Sequence, residues 1–352
     1  MKPFILFIAA LATLASANEY GSINGELRAF SFDRSFEKPN TPDSEAVTVG
    51  GIIRYTTPPV FNLSAQVAYY TSLNTGIHSD EAGQSSALLT SNGKNIGFIG
   101  EANVRLNTPE MQIVYGRQQL STPLANNHDL RLLPSVYHGV TAQYKPYGLE
   151  AGHITKYSGF GSKYDGFQDI PSFTYLMHTS KYITAQFIQS EPRDYYYAEA
   201  NYAINDLSLR AQFGANDNKI GDNSQMYGVK ATYTLPAQSS VALLANKING
   251  NRWLAIESGA MYSDWMQGYG LYEPSKAYGI QLTNQFQLLS TTLGAVRVAD
   301  GLVDDYVEYQ ADFIYQINKA NKARLRYSEK HQDSESLRED RNDLRVIYYY
   351  VF

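Results

Sequence analysis

Between residues 61 and 70 apolar and polar side chains take turns. Phe61, Leu63, Ala65, Val67 and Tyr69 fall on one side, and Asn62, Ser64, Gln66, Ala68 and Tyr70 on the other. Residues 98–107 repeat the pattern, with Phe98, Gly100, Ala102, Val104 and Leu106 against Ile99, Glu101, Asn103, Arg105 and Asn107; so do 207–216 and 306–317. Successive side chains leave a strand on opposite sides, so a period of two marks a strand whose faces meet different surroundings. Compatible segments lie near 22–36, 46–57, 110–117, 136–145, 148–157, 173–179, 181–190, 193–204, 224–236, 239–248, 276–286, 288–299, 320–328 and 341–352. With the four above they predict an all-β, antiparallel chain of eighteen strands.

Alternation of this kind fits a soluble sandwich with one wet face per sheet, or a closed transmembrane barrel with lipid outside and water inside. Connection lengths separate the two. Short ones at Thr57-Pro58-Pro59, Asn107-Thr108-Pro109, Lys145-Pro146-Tyr147-Gly148, Asn205-Asp206, Leu235-Pro236-Ala237 and Asn318-Lys319 alternate with longer polar ones. Turns at one rim and loops at the other is how a transmembrane barrel is strung. Residues 254–263 are a candidate nineteenth strand, but both ends of a bacterial barrel lie on one side of the membrane, which demands an even count. Residues 249–275 are therefore assigned to one long external loop, in which Leu254, Glu257, Met261 and Trp265 have the spacing of a short surface helix.

Composition sharpens this picture. The 352 residues include 29 Tyr and 15 Phe but only 2 Trp and no Cys, and the net charge is -5. Rings with an apolar body and a polar tip suit the two membrane–water boundaries. Absence of cysteine excludes disulfide scaffolds, zinc ribbons and thiol catalysis. The acidic balance argues against nucleic acid as a partner. Met1-Lys2, the apolar run from Pro3 to Leu14 and Ala15-Ser16-Ala17 read as a cleaved signal peptide over 1–17, leaving a barrel domain over 18–352. Phe352 is preceded at two-residue steps by Tyr350, Tyr348, Val346 and Leu344. That aromatic ending resembles the signal by which outer-membrane barrels engage their assembly machinery, an expected partner beside the membrane lipid.

Face parity places Arg28, Arg54, Arg105, Arg210, Arg324, Arg326 and Arg345 opposite the apolar side of their strands. An arginine at the lipid midplane costs ~2–4 kcal/mol, so seven on the wrong face would cost on the order of 14–28 kcal/mol, more than a typical domain's stability. They are expected to line a wet lumen, with Glu101, Glu308 and Asp312 as lumen carboxylates. Two uses compete for each arginine: neutralising a carboxylate and stiffening the wall, or forming a track for anions.

The segment after the fifth strand is long for a connection and carries the most distinctive text in the chain: Gly116-Arg117-Gln118-Gln119-Leu120-Ser121-Thr122-Pro123-Leu124, then Asp129-Leu130-Arg131-Leu132-Leu133-Pro134, then Gly139. It resembles the third loop of the OprD family of substrate-selective outer-membrane channels, and residues 27–34 are similar to that family's first strand. The resemblance implies an eighteen-stranded barrel, a third loop (about 118–135) folded into the lumen, and a ladder of basic side chains guiding small carboxylate-bearing solutes. On the matching motifs, Arg131 would stand at the constriction and Arg28 and Arg34 in the ladder. Arg324, Arg326 and Arg345 join the ladder by position and parity, as does Arg54 by parity. Arg117 is placed at the constriction with Arg131, and Asp129 as its opposing charge. The chain is shorter than typical members, which implies trimmed loops and a wider, less selective pore.

No G-x-S-x-G or H-E-x-x-H motif occurs and the six His are scattered, so no catalytic residue, metal site or cofactor is expected. The expected function is passive diffusion of small hydrophilic solutes through the outer membrane of a Gram-negative bacterium, favouring carboxylates. A nonspecific porin of another lineage, a barrel enzyme and a pore-less exported β-protein are the alternatives. A monomer and a homotrimer fit the pattern equally.

Overall fold

The computed structural model describes residues 20–37, 42–77, 88–90, 92–127, 131–159, 166–256, 260–263, 274–300, 305–332 and 340–352. The expected signal peptide lies outside them. Eighteen strands follow in chain order: β1 (Ser22–Phe36), β2 (Ser44–Thr56), β3 (Leu63–Asn74), β4 (Ile96–Asn107), β5 (Met111–Gln118), β6 (Val136–Tyr144), β7 (Leu149–Ser158), β8 (Gln168–Thr179) and β9 (Ile183–Ser190). They continue as β10 (Arg193–Ile204), β11 (Leu207–Asn218), β12 (Ser224–Leu235), β13 (Ser239–Gly250), β14 (Ser275–Phe286), β15 (Leu289–Ala299), β16 (Tyr306–Gln316), β17 (Asn321–Gln332) and β18 (Arg341–Val351).

Each strand pairs antiparallel with the next, and β18 pairs back onto β1 with Ala29 opposite Tyr348 and Ser31 opposite Val346. The sheet is thus a closed ring without edges, which leaves no second layer for a sandwich. Reciprocal bonds from Gly25 N to Phe352 O (3.0 Å) and Phe352 N to Gly25 O (3.1 Å) complete the seam at the carboxy-terminus.

Short connections gather at one rim, as their spacing predicts. Phe61 and Asn62, at φ 50° and 68°, form a two-residue turn closed by Val60 N to Leu63 O (2.8 Å) and Leu63 N to Val60 O (2.9 Å). Both central residues are left-handed, the twist that matches paired strands. The strand expected from 61 therefore starts at Leu63. No strand or helix forms in the described part of 251–274, so neither a nineteenth strand nor a surface helix is present there.

The outer face is an apolar belt between two aromatic rows. Tyr227 and Tyr233 are exposed on β12 with Val229 between them, and Tyr278 and Phe286 on β14 flank Ile280 and Leu282. Six residues of strand span about 20 Å, near the height of a hydrocarbon band. An exposed apolar surface of this extent belongs in lipid. The alternation slips in one place. A bulge in the β3–β4 ladder beyond Ala68 turns Ile96 and Phe98 inward and Ile99 outward, reversing the face expected for the upper half of β4.

Candidate functional site

The inward positions of β1, β17 and β18 bring the expected ladder together. Arg34 donates from Nη2 to Asp343 Oδ2 (2.5 Å), and Arg345 donates from Nε to Asp343 Oδ1 (2.7 Å). All three side chains are buried. Two strands over, on β16, Asp312 accepts from Arg324 Nε (2.9 Å) and Nη2 (2.6 Å) and lies 3.4 Å from Arg326 Nε. Four arginines thus share two carboxylates. The ring of Phe32 carries the guanidinium carbons of Arg34, Arg131 and Arg345 at 5.2, 5.0 and 5.4 Å. Cations over an aromatic face gain from its quadrupole, which helps hold three of them so close. Glu308, inward on β16, is fully buried and sits opposite Lys330 in the ladder.

Glu101 organises the β2–β4 wall. It accepts from Arg54 Nε (3.2 Å), Tyr70 Oη (2.8 Å) and Gln119 Nε2 (3.1 Å), and also from Gln66. Gln119 is the first residue after β5, so this carboxylate fixes the chain where it leaves the wall.

From there the third loop goes inward, as the family resemblance implied. Leu120, Leu124, Ala125, Leu132 and Leu133 are buried. Leu124 N donates to Gln186 Oε1 (3.0 Å) on β9, and Gln186 Nε2 donates to Thr122 Oγ1 (2.9 Å). On the return, Arg28 Nη1 on β1 donates to the Arg131 carbonyl (2.8 Å). β1 and β9 stand eight strands apart in a ring of eighteen, so the segment crosses the lumen. Arg131 itself is buried against Phe32 beside β1, and Asp129 lies outside the described residues.

A second loop also enters, which the sequence reading missed. After β13 the chain buries Trp253, Met261 and Ser263. Ile256 N donates to Leu124 O (2.9 Å), joining the two loops. Asn216 Nδ2 donates to Leu254 O (3.1 Å), Ser263 N to Asn246 Oδ1 (3.0 Å), and Tyr262 Oη to Glu199 Oε2 (2.8 Å). Burial first, then the Glu199 carboxylate, pushes the Tyr262 phenol well above its ordinary range. Gly214 makes room, since a Cβ there would lie 2.4 Å from the Trp253 ring. The segment assigned to an external loop is therefore lumenal in the part described. Trp253-Leu254-Ala255-Ile256, an apolar run within the segment assigned to one long external loop, was the available signal.

Arg117 does not join Arg131. On β5 Val114, Gly116 and Gln118 face inward, while Tyr115 is exposed to the outside with Arg117 on its side of the strand. Arg117 donates to Ile99 O (3.0 Å) and lies over the Phe167 ring at 4.4 Å. It is corrected from a constriction residue to an outer-face residue. The outward run of Met111, Ile113 and Tyr115 already carried that parity.

Several inward cations make no ion pair among the described residues, among them Lys322, which lies over the Tyr349 ring at 4.2 Å. Arg105 Nε donates to Asn103 Oδ1 (2.8 Å), Lys230 Nζ reaches Gln281 Oε1 (3.3 Å), and Arg210 stands beside Lys230 in the β11–β12 ladder, exposed to the lumen. Lys230 was absent from the sequence expectations. Across the whole wall, inward arginines and lysines outnumber the inward carboxylates Glu26, Glu101, Glu150, Glu199, Glu308, Asp312 and Asp343.

No family model matches the chain, and no curated protein matches its sequence. Solved structures do. Acinetobacter baumannii OccAB3 superposes with a TM-score of 0.80 at 15% identity, covering 94% of this chain and 98% of that one. Pseudomonas aeruginosa OccK9 (OpdG) gives 0.79 at 16%, covering 94% and 97%, and P. aeruginosa OpdK with vanillate gives 0.76 at 16%, covering 94% and 98%. The eighteen-stranded ring described above is therefore the fold of the OprD-family porins that these structures represent.

Proposed function

We propose that the chain is an outer-membrane porin of the OprD family, passing small hydrophilic solutes by diffusion and favouring those with a carboxylate. The observation that carries this reading is a closed barrel, crossed by an anchored third loop, whose inward wall holds more cations than carboxylates. Lipid outside explains the apolar belt, and a polar interior needs water or solute to satisfy it. The narrowed, low-dielectric lumen strengthens each charge acting on a passing anion. The proposal extends to a signal peptide cleaved after Ala17, a Gram-negative outer membrane as the destination, and insertion aided by Phe352.

Arg105, Arg210 and Lys230 are among the side chains left open to a solute. The ladder arginines Arg34, Arg324, Arg326 and Arg345 set the background potential through carboxylates that only partly neutralise them. The OpdK structure with vanillate makes an aromatic monocarboxylate the first probe to try. Liposomes carrying the purified protein should swell faster in vanillate than in a neutral solute of the same size. Equal rates would remove the carboxylate preference, and no swelling in either would remove the channel.

A further inference from the structure

At the loop rim, where β4 runs on past the end of β5, a cavity of about 420 Å³ is lined by the outward-facing Arg117, His138 and Lys156 and by Phe98, Gly166 and Phe167. We propose that it binds the phosphate-bearing headgroup of a lipid in the surrounding leaflet. This rests on the outer-membrane placement proposed above but not on solute passage.

Height is the first argument. Along the outside of β5 the order is Met111, Ile113, Tyr115, Arg117, and along β6 it is Ala142, Val140, His138, so apolar positions give way to an aromatic and then to a base. Tyr115 and His138 touch edge to face at 6.1 Å, which fixes both on the outer surface. A barrel's outer wall runs from hydrocarbon through an aromatic girdle to the headgroup layer, so groups one step beyond Tyr115 stand among headgroups. Acyl chains can then lie along Val140 and Tyr115, which stand on the turn side of His138 and Arg117.

Charge is the second. Arg117 is held by Ile99 O and Phe167, with no carboxylate in contact among the described residues. Lys156 pairs at 3.0 Å with Asp169, which is 85% exposed, and so open a pair contributes little and yields readily to a multivalent phosphate. Another basic group on the outer rim is more heavily neutralised, with Lys276 on Asp300 (2.7 Å) and Arg297 on Asp305 (3.3 Å). A recess with aromatic walls, one base without a carboxylate among the described residues and one weakly paired, fits a phosphate carried on an apolar body.

The probe is bisphosphorylated lipid A, titrated onto the detergent-purified full chain and followed by native mass spectrometry. A saturable one-to-one adduct is expected. The double variant Arg117→Gln/Lys156→Gln should bind about 25-fold more weakly, two surface cations each being worth about fivefold. Arg117→Lys in the parent chain should retain most of the binding. Heat-modifiable gel mobility and unchanged single-channel conductance would show that the variants stay folded and that the porin reading stands apart from this one. Equal binding by the double variant, or equal binding of lipid A stripped of both phosphates, would overturn the site. Full competition by millimolar inorganic phosphate would overturn its assignment to a lipid.

Discussion

At Asp343 one buried carboxylate holds two buried guanidiniums, those of Arg34 and Arg345, although Arg34 and Asp343 lie 309 positions apart in the chain. Breaking such a pair from one side leaves charge in a poorly solvated place and costs about 3–5 kcal/mol. Asp343→Asn should therefore shift the urea midpoint of the detergent-folded barrel sharply downward, and an unchanged midpoint would show that the arginines are better solvated than their burial indicates. Arg210 and Lys230 carry the opposite expectation. Replacing both by Ala should leave stability nearly unchanged and lower the preference for anions, read as a reversal potential closer to zero under a salt gradient. The inward face of the arginines was legible because lipid punishes the other choice so heavily. Which of them are tied and which are open was not, since their carboxylates come from neighbouring strands remote in sequence. Arg117 was misplaced because a motif was preferred to the parity of its own strand.

The strands were readable because each has two faces in different solvents, and their turns because proline and asparagine mark the tight rim. Loops carry no period, so their destination was not written in the same way. The third loop was located through its resemblance alone; the second was assigned outside despite Trp253 and Ile256, which pack in the lumen against Leu124 and its neighbours. Gly214→Ala tests that docking, because its Cβ would collide with the Trp253 ring. In a Trp265→Phe background, which leaves Trp253 as the one tryptophan, the parent should emit in the blue and Gly214→Ala further to the red, with larger conductance. Identical spectra would place Trp253 in water in both. Alkali offers a second probe. The docked Tyr262 phenol ionises above its ordinary value of 10.0, so the undocked form loses its proton first. The tether to Glu199 should hold up to about pH 10 and weaken progressively beyond it, seen as a red shift that begins there.

For the molecule as a whole, the even count, the closed ring and the sorted rims follow from one requirement, that no backbone group meets lipid unpaired. That requirement made the barrel predictable from alternation and loop lengths, down to eighteen strands. The sign of its lumen depends on side chains summed over every strand, with cations in excess. A planar lipid bilayer holding the purified protein between unequal KCl solutions measures that sum directly. Discrete conductance steps with a reversal potential on the chloride side of zero are expected; a reversal potential on the potassium side, or a membrane that never conducts, would contradict an anion-favouring channel.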